Sequence, residues 1–414
     1  MNRIIFHVDV NSAFLSWEAV YRLRVLKEKN DIRKEIAVIG GDKEKRHGIV
    51  LAKSDSAKGY GVVTGEPLIK ASSKCPGLNV YLPRFDWYVE CSNRLMDYLH
   101  SKSAGLEQFS IDEAWCDMTG LFSNSFDAVE YAKAMASYIR EEMGFTVNIG
   151  ISENKLLAKM ASGFKKPDMI HTLFKDELPE KMWRLKCSRL MYVGRATADR
   201  LSMLGIRTIG ELAAMDVNIL EAHFKKHGRM IWEYANGIDN SPIETKKQEG
   251  KSYGNEMTVP FDVTGYDTAK HIVMSLAETL CARLRKIGVK ATSLAVSYTD
   301  ADFNRKSKQC TLDNPTNTVN IVTQNAMKLL EEMWDGRNPL RLIGVHAVKI
   351  TDTDYHQFNL FEEPKDIEKQ ERLDKAIDSI RRKFGDNAVF RASYMKSDIP
   401  HIGEGLSRKK TDKN

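Results

Sequence analysis

Acids at the ends of apolar runs constrain this chain more than any other feature. Ile4-Ile5-Phe6-His7-Val8-Asp9-Val10 reads as a buried strand that ends beside an acid, Asp9. Roughly one hundred residues later, Gln108-Phe109-Ser110-Ile111-Asp112-Glu113-Ala114-Trp115-Cys116-Asp117-Met118 reads as a hairpin with Asp112 and Glu113 between two apolar strands. A carboxylate at a strand end is costly unless water or a cation reaches it. Three carboxylates from two strands can hold two divalent ions, and Mg²⁺ suits such oxygen donors beside a phosphate substrate. Ions about 4 Å apart would clamp the attacking and leaving oxygens of a phosphoryl displacement. Neighbouring residues on a strict strand face opposite ways, so Asp112 and Glu113 can act together only at a bulge or a strand end. A surface hairpin carrying two acids is the competing reading. Asp117 is ranked as structural.

The rest of the pattern predicts a mixed α+β protein. Helices are expected at Ala13 to Lys29, Trp87 to Ser101, Phe126 to Met143 and Lys155 to Gly163, with strands at Glu35 to Gly40, Ile49 to Lys53 and Thr146 to Ile151. Residues 168–237 turn all-helical, punctuated by Val193-Gly194-Arg195 and Leu204-Gly205-Ile206. Asp239 to Lys251, with Pro242 and Gly250, reads as a linker. A βαββαβ run follows, and then a charged tail with a helix over Ile367 to Lys383. No run of uncharged apolar residues is long enough to span a membrane, and the six cysteines form no C-x-x-C pair, so a cytoplasmic protein is expected. His223 and His227 have the spacing of a zinc helix but lack its Glu, and read as surface histidines. The net charge of +6 comes from 62 basic and 56 acidic residues, so a nucleic-acid partner would need charge sorted by face.

His7-Val8-Asp9-Val10-Asn11-Ser12-Ala13-Phe14 together with Phe109-Ser110-Ile111-Asp112-Glu113-Ala114 resembles the signature pair of the Y-family, the translesion DNA polymerases. The resemblance extends over essentially the whole chain. It implies a right-hand fold: palm at 1–10 and 77–167, small fingers at 11–76, helical thumb at 168–240, linker at 241–252, βαββαβ little finger at 253–355, and a tail at 356–414. It also implies that Asp9, Asp112 and Glu113, with the Val10 carbonyl, bind two Mg²⁺ ions. The reaction implied is attack of a primer 3′ hydroxyl on the α-phosphate of a dNTP.

By the same resemblance Phe14 is a steric gate against the ribose 2′ hydroxyl, although its spacing alone fits a core aromatic. Lys166, in Phe164-Lys165-Lys166-Pro167, matches a lysine that contacts the triphosphate, and Lys159 is a second candidate. The fingers depart from the commoner Y-x-x-R pattern of polymerase IV types: Asp55 and Lys58 stand there, closer to the polymerase V catalytic subunit. Lys58 can supply charge but not a bidentate fork.

The helical segment resembles a helix-hairpin-helix, in which Gly194 and Arg195 would meet a DNA phosphate. In the little finger, Arg283, Arg285, Lys286 and Lys306 are expected to track the DNA backbone. Gln357-Phe358-Asn359-Leu360-Phe361 is like a bacterial sliding-clamp motif, with Gln357, Leu360 and Phe361 as anchors. A monomer acting on primer–template DNA is expected. The rivals are a DNA- and clamp-binding member with weakened chemistry and another palm-type nucleotidyl enzyme, such as a cyclase.

Overall fold

The computed structural model describes residues 3–41, 48–122, 125–245, 250–353, 364–385, 388–389 and 391–392. The chain forms two bodies, which divide between Lys247 and Gln248.

The first body begins with β1 (Ile5–Val10), α1 (Ala13–Val20), β2 (Ala37–Gly40), β3 (Val50–Lys53), α2 (Asp55–Gly59), α3 (Leu68–Lys74) and β4 (Asn79–Tyr81). It continues with α4 (Phe85–Lys102), β5 (Gly105–Gln108), β6 (Glu113–Asp117), α5 (Ser125–Tyr138), β7 (Val147–Ser152), α6 (Lys155–Ser162) and β8 (Ile170–Thr172). Short helices α7 (Leu178–Lys181), α8 (Arg195–Met203), α9 (Ile209–Ala214), α10 (Val217–Phe224) and α11 (Lys226–Ala235) complete it.

A five-stranded sheet in the order β5-β6-β1-β7-β8 carries the acids. Its pairs are antiparallel except β7 with β8, which is parallel. β1 is buried at every residue because both neighbouring edges and both faces are covered. On one face α4 and α5 pack Tyr88, Leu95, Leu99 and Met135 against Phe6 and Val8. On the other, α6 brings Ala158 onto Ile5 and Trp115. Gly150 permits that approach: a Cβ there would stand 1.9 Å from the Ala158 carbonyl oxygen.

A separate three-stranded sheet, β3-β2-β4, is covered by α2 and α3 through Ala57, Leu68 and Ala71. The helices after β8 enclose Leu201, Ile209, Leu212, Leu220 and Ile231. His223 and His227 do not share a helix, since α10 ends at Phe224 and α11 opens at Lys226, with Lys225 at φ +57° between them. The expected linker is not free at its start. Asp239 accepts the Leu156 amide at the head of α6, and the Glu244 amide donates to Glu107.

The second body contains β9 (Tyr253–Val263), α12 (Tyr266–Lys286), β10 (Lys290–Asp300), β11 (Arg305–Thr316), α13 (Val319–Glu331), β12 (Leu340–Thr351) and α14 (Pro364–Phe384). Its four-stranded antiparallel sheet runs β11-β10-β12-β9. Leu276, Leu280, Val322 and Leu330 of the helices pack on Leu294, Val296 and Val345 on one side of the sheet.

The helix of the charged tail is an integral part of this body. α14 is turned opposite to an ordinary amphipathic helix: Asp374 and Arg381 are buried, while Leu373, Ile380 and Phe384 are 54%, 41% and 67% exposed. Ion pairs explain the inversion. Arg285 of α12 meets Asp378 at 2.6 Å and Asp374 at 3.4 Å. Glu278 of α12 meets Arg381 at 2.9 Å and Arg391 at 2.6 Å. Asp374 also accepts the Val319 amide at the start of α13.

Candidate active site

Asp9 and Glu113 are direct partners in the β1–β6 register. Asp112 precedes the strand, in the turn after β5, so the two adjacent acids are freed from strand alternation. The Asp112 carbonyl accepts the Val10 amide at 3.0 Å, which locks the turn to the end of β1. The Asp112 carboxylate accepts a 2.5 Å hydrogen bond from Ser110 Oγ. Asp117 lies at the far end of β6, opposite Ile5, where its carboxylate caps the Thr119 amide.

Two lysines face the acids. Lys166 Nζ is 2.6 Å from Asp9 Oδ1, and Lys159 Nζ is 2.6 Å from Glu113 Oε2. Burial pushes the Asp9 carboxyl up to about 7; Lys166 opposes the rise and Glu113 adds to it. Burial, reinforced by Lys159 and Lys166, holds His7 well below the ordinary imidazole range, so it is neutral. Lys155 points elsewhere: it bonds Glu107 at 2.7 Å and lies over the Trp115 ring.

The donor set fits a hard divalent cation. Asp9 is buried beside Glu113, and burial above all penalises its charge, while the Lys166 and Lys159 ammonium groups sit on its oxygen and on that of Glu113. Among the described residues no three acids close into a preformed cage.

Phe14 lies in the first turn of α1, partly buried, and stacks on Tyr88 at 5.0 Å with Phe85 and Trp17 around it. Asp55 is the exposed first residue of α2, where a carboxylate suits the positive end of a helix. Lys58 is exposed one turn later on the same helix. Gly194 precedes α8, and Arg195 is its exposed first residue.

The basic residues expected to hold DNA in the second body are not gathered on one open face. Arg285 is buried in its ion pairs with Asp374 and Asp378 and is a structural cation, not a DNA contact. Arg283 lies on the helix-covered side, bonded to Asn255 Oδ1 and over the Tyr253 ring. Lys286 is exposed at the last turn of α12. Lys306 stands opposite buried Tyr298, so strand alternation directs it to the helix side as well. The open side of the sheet carries Arg305, Ser307 and Gln309 opposite Thr299, Ser297 and Ala295. The pattern of basic clusters along the sequence missed this because it ignored the period of two. Residues 357–361 lie outside the described residues.

Sequence reasoning also missed a buried polar network beneath the lysines. Asn148 of β7 is fully buried and Asn11 nearly so, and they hydrogen-bond at 3.0 Å. His7 Nδ1 meets Ser162 Oγ at 2.8 Å. A polar residue inside the apolar run Val147-Asn148-Ile149 was the available signal.

Residues 8–163 match the impB/mucB/samB family, and residues 250–360 match that family's C-terminal domain. Residues 190–239 match the DNA polymerase-iota thumb domain. The chain is 46% identical over 398 residues to a DNA polymerase IV of Clostridium acetobutylicum, covering 96% of this chain and all of the relative. It is 34% identical to DNA polymerase IV 2 of Bacillus subtilis, covering 95% of each. A solved Y-family DNA polymerase chimera of Dbh and Dpo4 has the same fold, with a TM-score of 0.73 at 24% identity over 83% of this chain and 98% of that one. Sequence and fold agree, and the chain belongs to the impB/mucB/samB family of Y-family translesion polymerases, as a DNA-directed DNA polymerase.

Proposed function

We propose that Asp9, Asp112, Glu113 and the Val10 carbonyl hold two Mg²⁺ ions, and that the chain extends a primer by nucleotidyl transfer from dNTP. The observation that carries this is the pairing of Asp9 with Glu113 across β1 and β6, with Asp112 in the adjoining turn. The bound ions would supply Lewis-acid activation of the 3′ oxygen and neutralise phosphate charge. The protein's own part is electrostatic and positional. Lys166 and Lys159 leave the carboxylates for the phosphate oxygens when substrate arrives, since each already points into the site. Phe14 supports the sugar and leaves no room for a 2′ hydroxyl. Lys58 adds charge from the fingers.

On this reading residues 1–10 and 77–167 are the palm, 11–76 the fingers, 168–240 the thumb and 253–355 the little finger. The thumb meets a DNA phosphate through Gly194 and Arg195. Strand alternation favours Arg305 and its open sheet face over Arg283 and Lys306 for the DNA backbone. The chain acts as a cytoplasmic monomer and is tethered to a sliding clamp through Gln357, Leu360 and Phe361, a reading supported by the Q-x-x-L-F sequence.

Primer extension tests the chemistry. Purified protein should extend a primed template with Mg²⁺, and Asp9→Ala should not. Equal extension by both would show that the activity belongs to a contaminant. For the tether, alanine at Leu360 and Phe361 should abolish retention on immobilised bacterial clamp while leaving extension without clamp unchanged. Retained binding would refute the motif.

A further inference from the structure

We propose that Asn148, with Asn11, is a positioning residue that sets Lys166 for the incoming nucleotide; this rests on Lys166 as a triphosphate contact. Asn148 uses its whole hydrogen-bonding capacity. Its Nδ2 donates to the Lys165 carbonyl at 2.7 Å and to the Ser162 carbonyl at 3.1 Å. Its Oδ1 accepts from Asn11 Nδ2 at 3.0 Å and from the Met169 amide at 3.3 Å. Two donors and two acceptors are all that a carboxamide has. Both partners of Nδ2 are carbonyls and both partners of Oδ1 are N–H groups, so the amide has one orientation.

These bonds bracket Lys166. On one side the Lys165 carbonyl is held by Asn148. On the other, the Asp168 amide donates to Asn11 Oδ1 at 2.9 Å. The two asparagines are bonded to each other, so one end of Lys165–Asp168 is pinned to β7 and the other to the turn that directly follows β1. Asn148 is also the register partner of Asp9 on the opposite side of β1 from Glu113. The lysine and the acid it faces are therefore referred to one backbone. A Lys ammonium on a flexible stem gains accuracy only from a fixed root. The chemistry does not require an asparagine at either position to touch substrate, and neither is placed to do so by these contacts.

A thermodynamic cycle on the full-length protein tests this, using Asn148→Ala, Lys166→Ala and the double variant, read as KM for dNTP, kcat, and affinity for primer–template. Loss of the hydrogen bond behind a metal ligand typically costs 10–100-fold in affinity or activity, and a lysine held from behind is taken to be of the same order. We expect Asn148→Ala to raise KM for dNTP by about tenfold, in the lower part of that range, with primer–template affinity unchanged. In the Lys166→Ala background the same substitution should add little, because the group it positions is gone. Asn11→Ala, which removes one end of the bracket, should give a smaller effect in the same direction and serves if Asn148→Ala fails to fold. Full additivity, or loss of DNA affinity in step with thermal stability, would overturn the positioning role alone. An unchanged KM in Lys166→Ala would overturn the triphosphate reading, and the positioning role with it.

Discussion

At the scale of single residues, the site is set by what each side chain is pressed against. Asp9 is buried, which penalises its charge and leaves it favouring a proton or a cation even with Lys166 at 2.6 Å. Phe14 is wedged between Tyr88, Phe85 and Trp17, which fixes its ring, as the proposed gate against the sugar requires. Phe14→Ala should therefore raise ribonucleotide incorporation relative to dNTP without lowering DNA affinity. Unchanged sugar discrimination in single-nucleotide insertion would reduce Phe14 to a packing residue. The acids and Phe14 could be singled out in the sequence because each stands in a short motif that carries the family resemblance. Asn148 was not, since its value lies in four partners drawn from two segments far from it in sequence or outside its strand, Asn11 and the stretch 162–169.

At the scale of elements, α6 decides whether Lys159 reaches Glu113. Lys159 stands on it, Asn154 caps its first turn through the Leu157 amide, and Ser162 closes it against His7. Gly150 lets the helix lie on β7. Gly150→Ala would drive a methyl group into backbone that has no flexible end to yield. It should cost about 1–3 kcal/mol or more in a urea melt and also reduce extension, by shifting Lys159. A variant of wild-type stability and activity would show that α6 has slack in this position. The long expected helices and the strands of the acid-bearing sheet are observed, because periodicity reports burial directly, whereas α1 is shorter than expected and the short elements α2, α3, β4 and β8 carried too few residues for a period to show. The hairpin turn at Asp112 was less determined: alternation alone left both acids on opposite faces, and the turn is held by the Val10–Asp112 bond together with the Phe109 and Ser110 amides on the Glu113 carbonyl.

At the scale of the whole molecule, charge balance hides two different uses of charge. In the first body acids and lysines converge on one site. In the second, opposite charges are buried against each other to attach α14. Removing one partner there should cost more than a surface pair would. Asp374→Ala leaves Arg285 underpaired and the Val319 amide without its acceptor, and should destabilise the second body by about 3–5 kcal/mol. Equilibrium unfolding would measure it; a loss under about 1 kcal/mol, the range of an exposed pair, would mean that water compensates both groups. The tail boundary near residue 356 was not legible because a helix rich in charge reads as solvated, whatever it pairs with.

The inverted seating of α14 carries a consequence for variation in this chain. The usual rule, that apolar helix positions resist substitution and polar ones accept it, should run backwards over 371–384. Lysine or glutamate at Leu373 or Ile380 should be tolerated in a saturation screen, since those side chains face water. Leucine at Asp378 or Arg381 should be rejected, since each would strand a buried opposite charge. A mutational tolerance map read with ordinary hydropathy would therefore place the protected face of this helix on the wrong side.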